Sequence, residues 1–254
     1  MTQDLLLVHG GWHGSWVWAK LTPLLIAQGF RVHTPTLVGM GETATVYRHH
    51  PYSKLGVSDH VRQIEEYIRL NGLEQPYLIG HSYAGAVLNG VLNDIGQQIR
   101  GALFLDALFF TPGVDFAHLI AIKHPPAWIK PWYRQVLRNV LLNRPVPPPP
   151  VEFMGLDTDA DRKFVASRMS LLPSRLLDGR RLMPPPMHPH LTYVRCTGGN
   201  AVMRELMAPF ARYAQDHGWR YHELAAGHEC MLESPEAVAE QIVAAVVAIL
   251  GVPA

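Results

Sequence analysis

The sequence predicts an α/β chain with a mainly parallel central sheet of about six strands, flanked by helices and interrupted late by a helical insertion. Three observations lead to that expectation. Short, wholly apolar runs recur along the chain, helical periodicities fall between them, and one long proline-rich stretch breaks the rhythm. Apolar runs without polar alternation suit strands buried on both faces. Their alternation with helices implies a parallel sheet with right-handed crossovers.

Leu5–His9, Tyr77–Gly80 and Ala102–Leu105 are the plainest strands, Arg31–Thr34 is a weaker one, and Leu191–Thr197 and Arg220–Leu224 complete the set. Val57, Val61, Ile64 and Ile68 recur on one helical face, as do Val238, Ile242, Val246 and Ile249. Ser234 before Pro235 suits the start of that last helix, a capping hydroxyl followed by proline in the first turn. Residues 112–188 contain most of the prolines together with Trp128, Trp132, Phe153 and Met154. So long a connection should carry structure of its own, and its apolar content is too high for a disordered segment. A helical lid is expected there, inserted into a core made of residues 1–111 and 189–254.

Composition narrows the classes. A chain of 254 residues suits one large domain with a lid, and 48% apolar residues can bury a sizeable core. A formal net charge of +1 with scattered basic residues gives no electrostatic case for nucleic acid. Two cysteines, Cys196 and Cys230, make no disulfide framework and fit a reducing compartment. The apolar run near the start is too short for a signal peptide or membrane span. A soluble, cytoplasmic protein is therefore expected, with no membrane partner and a homodimer left open. Among the histidines, His49-His50 and His188-Pro189-His190 sit in proline-rich loops without ligand spacing, so neither a metal nor a cofactor is expected.

The chemistry points to three loops. Leu78-Ile79-Gly80-His81-Ser82-Tyr83-Ala84-Gly85 ends a strand and opens a helix, the context of a nucleophile elbow. Its serine must sit on a tight, strained turn, which needs small neighbours. Gly80 fills the first small position, Ala84 replaces the second glycine, and Gly85 follows. His9-Gly10-Gly11-Trp12-His13-Gly14 follows the first strand and can aim an N–H at a developing oxyanion. Gly11 and Tyr83 are the expected backbone donors, and His9 is expected to brace the loop. Ala225-Ala226-Gly227-His228 follows the last strand and can place an imidazole over Ser82 as general base.

These motifs resemble the α/β-hydrolase superfamily. More narrowly, Leu6–Leu25 and Phe104-Leu105-Asp106-Ala107-Leu108-Phe109 resemble bacterial esterases related to plant hydroxynitrile lyases and salicylate methylesterases. The likeness covers Leu5 to about Phe110 and Leu191 to the end, and the insertion only loosely. It implies hydrolysis of small carboxylic esters or related acyl compounds through an acyl-enzyme. In the superfamily the acid usually follows the strand at Leu191–Thr197, but here Thr197-Gly198-Gly199-Asn200 offers no carboxylate. Asn200 could orient an imidazole without balancing its charge. Asp106, at the exit of the strand beside the nucleophile's, supplies the carboxylate and keeps the order Ser82, Asp106, His228. Glu229 is expected to point elsewhere. Trp12 and, from the insertion, Trp128, Trp132, Phe153 and Met154 are expected to line an apolar pocket that takes apolar or aromatic acyl groups. Ester, thioester, lactone, amide and carbamate stay open. A hydroxynitrile-lyase reading is weakened because the lysine that follows that family's catalytic histidine is Glu229 here. A cofactor-free dioxygenase and a non-catalytic receptor on the same fold are further alternatives.

Overall fold

Six parallel strands form one sheet in the order β2-β1-β3-β4-β5-β6. They are β1 Asp4–Val8, β2 Arg31–His33, β3 Tyr77–His81, β4 Gly101–Leu105, β5 Leu191–Cys196 and β6 Arg220–Leu224. The computed structural model describes residues 2–44, 54–109, 126–177, 184 and 187–251. All six expected strands are present. The His49-His50 pair and the start of the insertion lie outside the described residues.

The apolar runs become the central strands because both faces of the sheet are covered. Every residue of β1, β3 and β4 is buried. Alternate side chains point to opposite faces, so one core gathers Leu6, Val8, Leu78, Phe104 and Tyr193. The other gathers Leu5, Leu7, Ile79, Leu103 and Val194. Helices α2 (Val57–Leu70), α3 (Ala84–Ile95) and α6 (Ala201–Asp216) pack on the first face. Helices α1 (Leu21–Ala27) and α8 (Pro235–Leu250) pack on the second. Each fully buried Leu or Val side chain contributes roughly 1.5–3 kcal/mol, so removing one from either face destabilises the platform beneath the site.

The start of α8 differs from expectation. Ser234 is the residue before the helix and Pro235 stands in its first turn, but the serine side chain makes no capping hydrogen bond. Its N–H instead donates to Cys230 O at 2.8 Å, closing the short helix α7 (Cys230–Glu233). The residue is committed to ending one helix and its hydroxyl does not begin the next.

Between β4 and β5 stand α4 (Lys130–Leu141), α5 (Asp159–Ala166) and 3₁₀ turns at Val151–Met154 and Ser174–Leu177, with a bridge between Val146 and Leu172. The segment is pinned to the core at the first glycine loop, where Ser170 N–H donates to Trp12 O at 2.9 Å. No described helix is long and apolar enough to cross a membrane. The loops leaving β1, β3, β4 and β6 all emerge at one sheet edge. β1 and β3 are the strands at which the order reverses, where open α/β sheets form a crevice.

Candidate active site

The turn after β3 carries Ser82 in the left-handed region, with φ 53°. A side chain there costs about 1–2 kcal/mol, so surrounding structure must hold it. Ser82 N–H donates to Leu105 O at 3.2 Å, and Ser82 O accepts from Leu108 N–H at 3.0 Å. The small residues are explained by close approach. A Cβ at Gly80 would meet Leu88 Cδ2 at 2.8 Å, and one at Gly85 would collide with Leu108 O. Ala84 therefore tolerates its methyl because the crowded position is the next one.

Asp106 leaves the end of β4, which pairs His81 with Leu105 across the strands, so its carboxylate emerges beside the elbow. It is buried, and Oδ1 accepts from Cys196 N–H at 3.1 Å. Oδ2 lies 2.7 Å from Nδ1 of His228. That contact gives Nδ1 the proton and leaves the lone pair on Nε2. His228 sits in the loop after β6, held by Gly227 N–H donating to Glu233 Oε2 at 3.0 Å. Its carbonyl accepts from His81 Nε2–H at 2.8 Å. His81 is a site residue that sequence reasoning misses, although it stands inside the elbow motif. Burial holds its imidazole well below the usual range, so it stays neutral.

The glycine loop lies directly over the elbow, since a Cβ on Gly10 would come within 2.9 Å of Ser82 Cβ. Three consecutive carbonyls of this loop are tied back. Gly10 O accepts from His9 Nδ1 at 2.8 Å, Gly11 O from His13 Nδ1 at 2.5 Å, and Trp12 O from Ser170 N–H. Trp12 itself is left-handed, φ 63°, a conformation that needs such ties. His9 Nε2 also accepts from Leu37 N–H at 2.9 Å, and burial lowers its pKa to about 3, so it braces the loop as a neutral ring. The N–H groups of Gly11 and Tyr83 have no backbone acceptor among the described residues. The Tyr83 side chain is buried, its hydroxyl 3.1 Å from His60 Nδ1.

These groups open on one cavity. Its polar end holds Gly11, His13, Ser82, His228 and Glu229, and its apolar wall includes Trp12, Trp132, Phe153, Met154 and Leu172. Trp132 and Phe153 lie with ring centroids 5.4 Å apart. The expected pocket residues Trp12 and Phe153 are in this wall, but Trp128 is not. It stands 46% exposed just before α4, outside the lining, while Trp132 one helical turn later faces inward. Asn200 is also placed elsewhere. Its Oδ1 caps α6 by accepting Met203 N–H at 2.9 Å, and its Nδ2 donates to Phe153 O at 2.8 Å. Asp106 alone of the two touches the imidazole.

Glu229 points to His13 and not to the His228 ring, as expected, yet it stays inside the site. It is fully buried in the cavity lining, with Oε1 3.3 Å from His13 Nε2. Burial pushes its carboxyl up, but the His13 ring beside it overrides that and holds it at about 2. The same pairing raises His13 against the effect of its own burial. Among the described residues, His81, His228 and Glu229 form a group with metal-ligating chemistry, their atoms within 4.8 Å of one another. Two of its ring nitrogens are already committed, to Asp106 and to the His228 carbonyl.

Comparison with known proteins agrees with this architecture. The model of the Alpha/beta hydrolase family matches residues 5–241. A carbendazim hydrolyzing esterase from Nocardioides sp. (strain SG-4G) is 26% identical over 95% of this chain and 98% of its own. Salicylic acid-binding protein 2 of Nicotiana tabacum is 34% identical, over 41% of this chain and 39% of its own. Among solved structures, a variant of tomato methylketone synthase I complexed with beta-ketoheptanoate superposes with a TM-score of 0.72, at 17% identity, over 98% of this chain and 99% of its own. With the six-stranded parallel sheet, the elbow and the matched length together, the chain belongs to the alpha/beta hydrolase family.

Proposed function

We propose that the chain is a serine esterase in which Ser82 is the nucleophile, His228 its general base and Asp106 the acid that orients and balances the imidazole. The observation that supports this most is the 2.7 Å contact between Asp106 Oδ2 and His228 Nδ1, in a cavity that also holds a left-handed Ser82. The deprotonated Nε2 takes the serine proton as the hydroxyl attacks the carbonyl. The amides of Gly11 and Tyr83 receive the oxyanion. His228 then protonates the leaving alcohol, and water hydrolyses the acyl-enzyme by the same base.

The apolar wall favours apolar or aromatic acyl or alcohol groups. The esterase relative acting on carbendazim, and a pyrethroid hydrolase from Sphingobium wenxiniae (strain DSM 21828 / CGMCC 1.7748 / JZ-1), 30% identical over 44% of this chain, point to substrates of that kind. Residues 112–188 are the lid and residues 1–111 and 189–254 the core. That reading rests on how much of the cavity wall comes from α4 and the turns after it. The two buried free cysteines support a reducing, cytoplasmic setting.

The test is a panel of p-nitrophenyl esters, aryl and alkyl carbamates, thioesters and lactones, run on the wild type and on Ser82→Ala. Turnover of at least one class that Ser82→Ala abolishes is expected. Turnover that survives in Ser82→Ala would remove the serine from the reaction.

A further inference from the structure

The His13–Glu229 pair takes no part in the proton transfers just described, yet it is buried beside them. Its geometry fixes its protonation. His13 Nδ1 must carry a proton to serve Gly11 O at 2.5 Å. Nε2 faces a carboxylate oxygen at 3.3 Å, where a lone pair would be repelled, so it must carry one too. The contact is an ion pair without hydrogen-bond alignment, and among the described residues neither carboxylate oxygen, nor His13 Nε2, has a hydrogen-bond partner. The ring is therefore an imidazolium with a contact at each end. One end holds the carbonyl of the expected oxyanion residue, and the other holds the residue that follows His228.

We propose that Glu229 is a positioning residue: by keeping His13 doubly protonated it locks the oxyanion loop in register with the loop that carries the base. The proposal rests on the esterase reading and adds to it. A buried carboxylate without its cation is strongly unfavourable, so the pair behaves as one unit linking two segments remote in sequence. Loss of either member frees Gly11 O from a charged donor and lets the loop, with left-handed Trp12, relax away from Ser82.

The pair also confers a pH response. His13 is surrounded by Glu229 after β6, by His81 at the end of β3 and by His9 at the end of β1. Glu229 is surrounded by His13, His81 and His228, with Glu233 of α7 nearby. Since His9 and His81 stay neutral, the carboxylate is the main influence holding the second proton on His13. With the His13 pKa raised above 6.5, the lock is intact below that raised value and opens as pH rises through it. Glu229, held at about 2, stays ionised throughout.

The experiment measures kcat and KM against pH for p-nitrophenyl ester hydrolysis by the wild type, Glu229→Gln, His13→Asn and the double variant. Asparagine keeps a donor for Gly11 O without the charge. Each single variant is expected to lose about 10- to 100-fold in kcat, with KM little changed, and the double variant no more than the worse single one. The alkaline fall of kcat should move to lower pH in Glu229→Gln, because only the Gly11 carbonyl then opposes the effect of burial on His13. Unaltered kcat in Glu229→Gln, or losses that multiply in the double variant, would overturn the proposal. Should the variants fold poorly, the wild type still decides by nitrogen NMR: a His13 ring protonated on both nitrogens near neutral pH is expected, and a neutral ring overturns the lock. A wild type that hydrolyses no ester sinks the esterase reading itself. A turning-over wild type matched by Glu229→Gln sinks only the lock.

Discussion

Asp106 uses both carboxylate oxygens, one on Cys196 N–H and one on His228 Nδ1. Asp106→Asn keeps the size but supplies an N–H where the imidazole also needs to donate, which favours the wrong tautomer. A loss of about 10⁴ in kcat is expected, measured by steady-state ester hydrolysis, with little change in the denaturation midpoint. Asn200→Ala is expected to do the reverse. It removes a helix cap, costing roughly 1 kcal/mol of stability, and leaves turnover near the wild-type value. The sequence singles out Ser82 and His228 because each follows a strand among small residues, and Asp106 because it stands at the exit of the strand beside the nucleophile's. Glu229 and His13 are not, because a pair formed between distant loops leaves no local pattern. Trp128 misleads for a related reason. An aromatic in an insertion without strong periodicity does not reveal which way it faces.

At the scale of elements, the elbow depends on how closely α3 can approach the segment after β4. Gly85→Ala should destabilise by about 2 kcal/mol or more, since the new methyl meets a backbone oxygen that cannot yield. Ala84→Gly should cost only about 1 kcal/mol, the ordinary helix penalty. Urea denaturation of both variants measures the contrast. The insertion contributes through α4 and the turn at Val151–Met154. Trp132→Ala and Phe153→Ala are expected to lower kcat/KM for aromatic esters more than for acetates, whereas Trp128→Ala leaves both ratios unchanged. The six strands are readable because buried parallel strands are continuous apolar runs. The cap of α8 is not, because Ser234 fits a capping pattern while its backbone closes the helix before it.

Among the described residues, burial keeps the fully buried His9, His60 and His81 neutral. Burial depresses His9 to about 3, His60 to about 4 and His81 well below 6.5. The unfolded chain protonates all three below 6.5, so it binds more protons than the fold does, and stability must fall as pH drops from 6.5 towards about 4. His13, raised in the fold, is protonated in both states below 6.5 and adds little slope there. Glu229, lowered to about 2, steepens the same fall only as pH approaches its ordinary value of 4.5. Urea midpoints measured around pH 5 to 6 should report an uptake approaching about three protons on unfolding. A flat profile would mean that these rings are solvated or charged in the fold.

The central claim is that strands β1, β3, β4 and β6 deliver an activated serine to one cavity. Its most direct test is mass spectrometry of the chain after reaction with a fluorophosphonate. One phosphonyl group per chain is expected, mapped to Ser82, absent from Ser82→Ala and formed far more slowly in His228→Ala. An unlabelled Ser82 in a chain that still hydrolyses esters would contradict it.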